Sequence, residues 1–194
     1  MKDYPSLHLR KDLEKYELRR FVDGAKKGDE DALSQLCVYV YSRIYSYVFY
    51  RVNQPEDAED LTSEVVLKVI KALKNQRGNF HAWMYKIAKH ALIDFYRKKA
   101  VRRELSLSDL SHDIADKSAD FSRQTLTRER LRKGMQRLTE EQRQVIILRF
   151  IEGFSNSEAA EFMGKSVGAI KVLQFRALRA LRDYFSRQGY EDKN

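Results

Sequence analysis

Apolar residues recur at three- and four-residue steps through most of the chain, with polar residues filling the positions between. The longest such stretch predicts a helix over 80–103, with Phe80, Trp83, Met84, Ile87, Ala88, Ala91, Leu92 and Phe95 on one face. The opposite face carries His81, Lys86, Lys89, His90, Arg97 and Lys98, and the run ends in Arg102 and Arg103. One side suits a protein core. The other is a basic strip interleaved with rings, where cations can meet phosphates and ring faces can stack on unpaired bases. A surface helix with solvated lysines would carry the same residues, so the strip alone leaves both readings open.

The elements before it follow the same logic. Leu9, Leu13, Tyr16 and Phe21 give a short amphipathic helix, punctuated by Gly24 and Gly28, and Asp29 is placed to cap the next helix. That helix runs to about Val52 and turns Leu33, Leu36, Cys37, Val40, Ile44, Tyr47 and Val48 inward. Pro55 suits the first turn of another, running to about Leu73, that buries Ala58, Leu61, Val65, Val69 and Leu73. Its first turns hold Glu56, Asp57, Glu59, Asp60 and Glu64, which favour the positive end of the helix dipole. Asp60 and Glu64 lie one turn apart on a shared face, a candidate docking surface for a basic partner. A polar loop, Asn75 to Asn79, then leads into the basic helix. Three helices with matched stripes make a compact domain over about 22–104, preceded by a helical extension over 1–21.

From 105 to 127 serine and aspartate dominate and no long stripe continues, so this stretch reads as an acidic linker. The pattern resumes over 128–194. Thr139-Glu140-Glu141-Gln142 and Ser155-Asn156-Ser157-Glu158 both fit the capping box. Between them Val145, Ile146, Leu148 and Phe150 are expected to be buried. Gly164-Lys165 then forms a turn, and Ser166 caps a long last helix. A short helix, a glycine-containing turn and a second helix is the helix-turn-helix plan. In the last helix Ile170, Leu173, Ala177, Leu181 and Tyr184 face one way. Gly168, Lys171, Val172, Phe175, Arg176, Arg179 and Arg182 face the other, as in a helix laid in a major groove. The fold class is therefore all-α, two small helical domains joined by a linker.

Charge changes the picture next. The 194 residues carry a net charge of +9, with a pI near 9.5, which favours an anionic partner, either nucleic acid or a membrane surface. The first 104 residues contribute +6, the linker −2 and the remainder +5. The longest apolar runs, such as Val145 to Leu148, fall far short of the ~20 residues a span needs, and no signal-peptide pattern opens the chain. No membrane insertion is expected. The single Cys37 excludes an internal disulfide and reads as a small core residue. Gly164-Lys165-Ser166 imitates the end of a phosphate-binding loop, but Ala159 stands where that motif needs glycine. His8, His81, His90 and His112 show no ligand spacing. No catalytic constellation, metal or cofactor is expected.

Two blocks of residues resemble a known family. Asp57 to Val65, Phe80 to Ala88, and Asp94 with Arg97 are similar to the second region of bacterial sigma factors. Leu138 to Arg143, Ser157 to Ala160, Val167 to Lys171 and Arg176-Ala177 are similar to the fourth region. With the linker in place of the third region, the architecture resembles the extracytoplasmic-function (ECF) group. The resemblance implies a cytoplasmic, non-enzymatic subunit that binds core RNA polymerase, directs it to signal-responsive promoters and is held in check by an anti-sigma protein. It implies that Asp57, Asp60, Ser63 and Glu64 dock on the polymerase clamp helices. The Asn75–Asn79 loop and the exposed central helix, with His81, Lys86, Lys89, His90, Arg97 and Lys98, would take the opened minus-ten strand. Ser166, Gly168, Lys171, Val172, Phe175, Arg176 and Arg179 would face the minus-thirty-five element, with Arg149 on phosphate.

The chain departs from the family in two places. His90 stands where asparagine is frequent, and Val172-Leu173-Gln174 stands where Ser-Arg-Leu is frequent. The minus-ten base and the upstream sequence therefore do not transfer. Two readings of another class compete. A stand-alone helix-turn-helix regulator would bind duplex DNA as a symmetric dimer, and a helical nucleic-acid enzyme would need a clustered catalytic set. The extension is either an added regulatory piece or packing.

Overall fold

The structure, a computed structural model, describes residues 7–52, 54–105 and 123–188, with side chains over 16–52, 54–102 and 127–188. Among the described residues there are eight α-helices and no strand. They are α1 (Leu7–Lys27), α2 (Glu30–Phe49), α3 (Pro55–Ala72), α4 (Phe80–Leu105), α5 (Arg123–Met135), α6 (Glu140–Ile146), α7 (Asn156–Met163) and α8 (Val167–Arg187). Most of the expected linker, 106–122, lies outside the described residues, as do the side chains of Leu9, Leu13 and Arg103.

The caps explain where helices begin. The Asp29 carboxylate accepts from the Ala32 amide at 3.0 Å, and Pro55 sits in the first turn of α3. Thr139 and Ser155 close reciprocal capping boxes with Gln142 and Glu158, and Ser166 caps α8. α2 forms the centre of the first domain. Its Leu36, Val40, Ile44, Tyr47 and Val48 are buried against Ala58, Leu61, Val65 and Val69 of α3 and Met84, Ala88, Ala91 and Leu92 of α4. In the second domain Met135, Leu138, Val145 to Leu148, Ala159, Ala160, Ile170, Ala177 and Leu181 form the core.

Two expectations are corrected. α1 does not pause at Gly24 but runs through it to Lys27. It stops at Gly28, whose φ of +91° lets the Asp29 amide donate back to the Gly24 carbonyl and the Gly28 amide to the Ala25 carbonyl. Gly24 serves packing instead, because a Cβ there would stand 2.6 Å from the Cβ of Ala32 on α2. Gly24→Ala is expected to lower stability by roughly 1–3 kcal/mol through overpacking, and Ala32→Gly in the same chain should restore it. Thermal unfolding of the single and double variants checks this; an unshifted single variant would show that α1 moves aside at no cost.

Phe150 is the second correction: it is 55% exposed rather than buried. Residues Ile147–Ile151 form a π-helical turn, which puts an extra residue into the ring closed by each hydrogen bond. The helical phase slips there, and Phe150 rotates out while Ile147 and Leu148 stay in the core.

Candidate nucleic-acid interface

Each domain presents a basic surface, and α3 adds an acidic one. On α3, Asp60, Ser63 and Glu64 are exposed along one face, and Leu67, 59% exposed, continues it. Glu64 pairs with Lys68 at 2.6 Å, and the Ser63 hydroxyl donates to the Glu59 carbonyl at 3.0 Å. Asp57 is less available, because Lys99 of α4 reaches it at 2.9 Å.

On α4, Lys86, Lys89, His90, Arg97 and Lys98 are exposed, and Arg97 pairs with Asp94 at 3.2 Å. Asn79 precedes the helix and its side-chain oxygen accepts from the Ala82 amide at 3.2 Å. Trp83 is half-buried against the core and the Phe80 ring. An apolar groove of about 400 Å³ runs between Lys68, Lys71 and Ala72 of α3 and Ile87, His90 and Ala91 of α4. The two lysines were not among the expected contacts. Their signal in the sequence was a lysine pair at a three-residue step, legible only once α3 is known to lie beside His90.

His81 sits differently from the rest of the strip. Its ring shares a 2.5 Å hydrogen bond with the Tyr39 hydroxyl and lies stacked on Phe154 of the second domain, with centroids 6.0 Å apart. Burial, with the Arg43 charge adding to it, holds its pKa down to about 4, so the imidazole is neutral at pH 7. In this arrangement His81 faces protein rather than solvent.

His81 belongs to a clasp between the domains. The Tyr85 hydroxyl of α4 donates to the carboxylate of Glu152, which is 5% exposed and follows the π-helical turn. Arg51, at the end of α2, is 1% exposed, donates to Gln144 of α6 and lies 3.6 Å from Glu140. Arg132 of α5 donates to the Val52 carbonyl at 3.4 Å, and Lys89 stands 5.5 Å over the Phe162 ring.

The helix-turn-helix is formed by α7, Gly164-Lys165 and α8. Gly164 has φ +64°, and the Lys165 amide donates to the Ala160 carbonyl, which ends α7 sharply. α8 buries Ile170, Ala177 and Leu181 and exposes Ser166, Gly168, Lys171, Val172, Phe175, Arg176, Arg179 and Arg182. Phe175 is 65% and Val172 49% exposed, a large apolar offering on a basic face. Arg149 is half-buried, and its guanidinium donates to the Phe154 carbonyl, so it braces the segment after the π-helical turn.

The family described as Sigma-70 region 2 matches residues 37–102, and Sigma-70, region 4 matches 128–181. The ECF RNA polymerase sigma factor BldN of Streptomyces coelicolor is 31% identical over 175 residues, spanning 88% of this chain and 66% of BldN. The ECF RNA polymerase sigma factor SigD of Mycobacterium tuberculosis is 31% identical over 179 residues, spanning 87% of this chain and 84% of SigD. Among solved structures, the sigma factor RpoE from Bartonella quintana, crystallised with the anti-sigma factor NepR, shares the fold with a TM-score of 0.66 at 23% identity, covering 79% of this chain and 96% of RpoE. Two sigma regions in order, on helices that present an acidic face and two basic faces, make this chain a member of the ECF group of RNA polymerase sigma factors.

Proposed function

We propose that the surfaces of this sigma factor divide the work of promoter recognition between them. The α3 face of Asp60, Ser63 and Glu64 docks on core RNA polymerase, with Asp57 at its edge. The Asn75–Asn79 loop and the α3–α4 groove take an unpaired minus-ten base, with Lys68, Lys71 and His90 around its rim and Lys86, Lys89, Arg97 and Lys98 along the backbone. Ser166, Gly168, Lys171, Val172, Phe175 and Arg176 face the minus-thirty-five element, and Arg179 lies on phosphate. The observation that carries the reading is the coexistence of an acidic docking face with two basic faces on separate domains. A repressor needs only the latter. Domains over 22–104 and 128–194, a cytoplasmic location, the absence of an enzymatic activity and control by an anti-sigma protein complete the proposal. That no described helix is long and apolar enough to cross a membrane is consistent with it.

Run-off transcription with core enzyme tests this division. Lys171→Ala and Phe175→Ala should each cost ~1–3 kcal/mol of discrimination at particular upstream positions. Arg179→Ala should weaken all upstream sequences alike and lower the salt slope by about one. Equal losses on every upstream sequence for Lys171→Ala and Phe175→Ala would remove the base-reading assignment. Tight promoter binding by the protein alone, with no polymerase-dependent product, would favour the regulator reading.

A further inference from the structure

The last turn of α1 reaches across to the loop between α3 and α4. Lys26 Nζ donates to the carbonyl oxygen of Gln76 at 2.8 Å and to its side-chain Oε1 at 2.7 Å. The Gln76 side-chain nitrogen donates onward to the Gly78 carbonyl at 2.9 Å, and its backbone amide donates to Leu73 at 3.0 Å. Gln76 is 3% exposed, while Asn75, Arg77, Gly78 and Asn79 around it are all exposed. Burying a glutamine in a polar loop is costly unless its groups are paired. Here the Lys26 ammonium reaches both of its oxygens, and the Arg77 guanidinium also donates to its backbone carbonyl at 3.1 Å.

The consequence travels along the loop. Gly78, at φ +71°, makes the turn that brings Asn79 to the start of α4, where it accepts from the Ala82 amide. A line of hydrogen bonds thus runs from Lys26 through Gln76 to Gly78 and fixes the approach to Asn79. The donor is an ammonium group, so both bonds are charge-assisted although the acceptors are neutral oxygens. The anchor is fifty residues away in sequence and lies outside residues 37–102, the matched second region.

We propose that Lys26 is a positioning residue for base reading: α1 tethers the loop so that Asn79 and the groove meet an unpaired minus-ten base in one prearranged geometry. This rests on the reading of the loop as part of the minus-ten surface. Lys26 need not touch DNA for the effect, because restraint of the loop lowers the ordering cost of binding. It also gives the N-terminal helix a task in recognition beyond packing on α2.

The test uses the full chain with core polymerase, on templates varied at each minus-ten base, together with hydrogen exchange of the protein alone. Lys26→Met keeps the apolar stem and removes the donor; Lys26→Arg keeps a donor; Asn79→Ala probes the loop directly. Lys26→Met should flatten the minus-ten base profile on the order of tenfold and speed exchange of the Gly78 and Ala82 amides. Upstream preference and polymerase affinity should stay as in the parent, and Lys26→Arg should recover much of the profile. An unchanged base profile in Lys26→Met, or a loss confined to thermal stability that Lys26→Arg fails to repair, overturns the proposal. If Asn79→Ala leaves the profile unchanged while Lys26→Met still speeds loop exchange, the tether stands as geometry but the loop is not the reader, and the underlying reading fails instead.

Discussion

Asp60→Arg should abolish capture of core polymerase while leaving the helical content unchanged. Asp60 is exposed on α3 one turn from Glu64, so its side chain carries none of the core and the fold has no reason to respond. The face it occupies is acidic in a protein of net charge +9, which makes a basic partner surface the natural complement. Reversal removes one attraction and adds a like-charge contact; a cost of about 3 kcal/mol, or roughly a hundredfold in affinity, is the scale for interfacial charge pairs. Asp57→Asn should do less, since Lys99 already engages that carboxylate. Pull-down with core enzyme and circular dichroism on the same samples decide the matter. Wild-type capture by Asp60→Arg would move the docking surface off this face.

Glu152→Gln should make the clasp between the domains depend on pH in the sense opposite to His81→Asn. Burial pushes the Glu152 carboxyl up to about 7, against the Tyr85 hydrogen bond and the Arg43 and Arg51 charges. A raised carboxyl favours contact fully below its ordinary value of 4.5, and that preference is lost as pH climbs to about 7. His81 works the other way. Held down to about 4 by burial and Arg43, with Glu158 opposing, it favours contact fully above 6.5 and withdraws that preference as pH falls. Over pH 5.5 to 8 the two slopes oppose each other up to 6.5, and only the last part of the Glu152 slope, to about 7, is left unopposed. The parent chain should therefore respond more weakly than either variant. With Glu152 replaced by Gln, His81 alone remains, and contact should strengthen on the order of tenfold as pH rises through this window. With His81 replaced by Asn, contact should weaken by at least a comparable factor. Inter-domain energy transfer in a doubly labelled full-length chain reads all three. A steep parent curve, or parallel curves for the parent and Glu152→Gln, would show that these groups do not set the contact.

Much of this was legible in the chain because helix signals are local. Asp29, Thr139, Ser155 and Ser166 announce helix starts through side chains that bond to amides three residues on, and no tertiary context is needed to see them. The stripes of α2, α3 and α4 likewise name their own buried faces. What periodicity cannot supply is the identity of whatever lies opposite. His81 falls on the polar face of α4 by spacing, yet Phe154, from a part of the chain 73 residues later, covers it. Gly24 looks like a stop because glycine weakens helices; only the approach of Ala32 reveals why it is tolerated inside one. Spacing puts Phe150 inside because it assumes constant pitch, and a single π-helical turn shifts the phase so that the ring faces out. The Lys68–Lys71–His90 rim required two helices to be brought side by side, as did the link from Lys26 to Gln76.

Arg51 gives the clasp a further property. Its guanidinium is almost wholly enclosed, donating to the Tyr47 carbonyl at 2.8 Å and lying 3.8 Å over the Tyr47 ring, with Gln144 and Glu140 of the second domain closing the other side. Arg132 is also buried at the contact. Any motion that parts the domains strips Arg51 of Gln144 and Glu140 and returns its permanent charge to solvent, whereas Arg132 keeps its Glu129 partner within α5. A cation that then met a phosphate would release a counterion condensed on the nucleic acid and steepen the salt dependence by nearly one in log–log slope. The parted chain therefore presents one more solvent-exposed cation than the clasped one, and its affinity for DNA is expected to depend more steeply on salt if that cation reaches a phosphate.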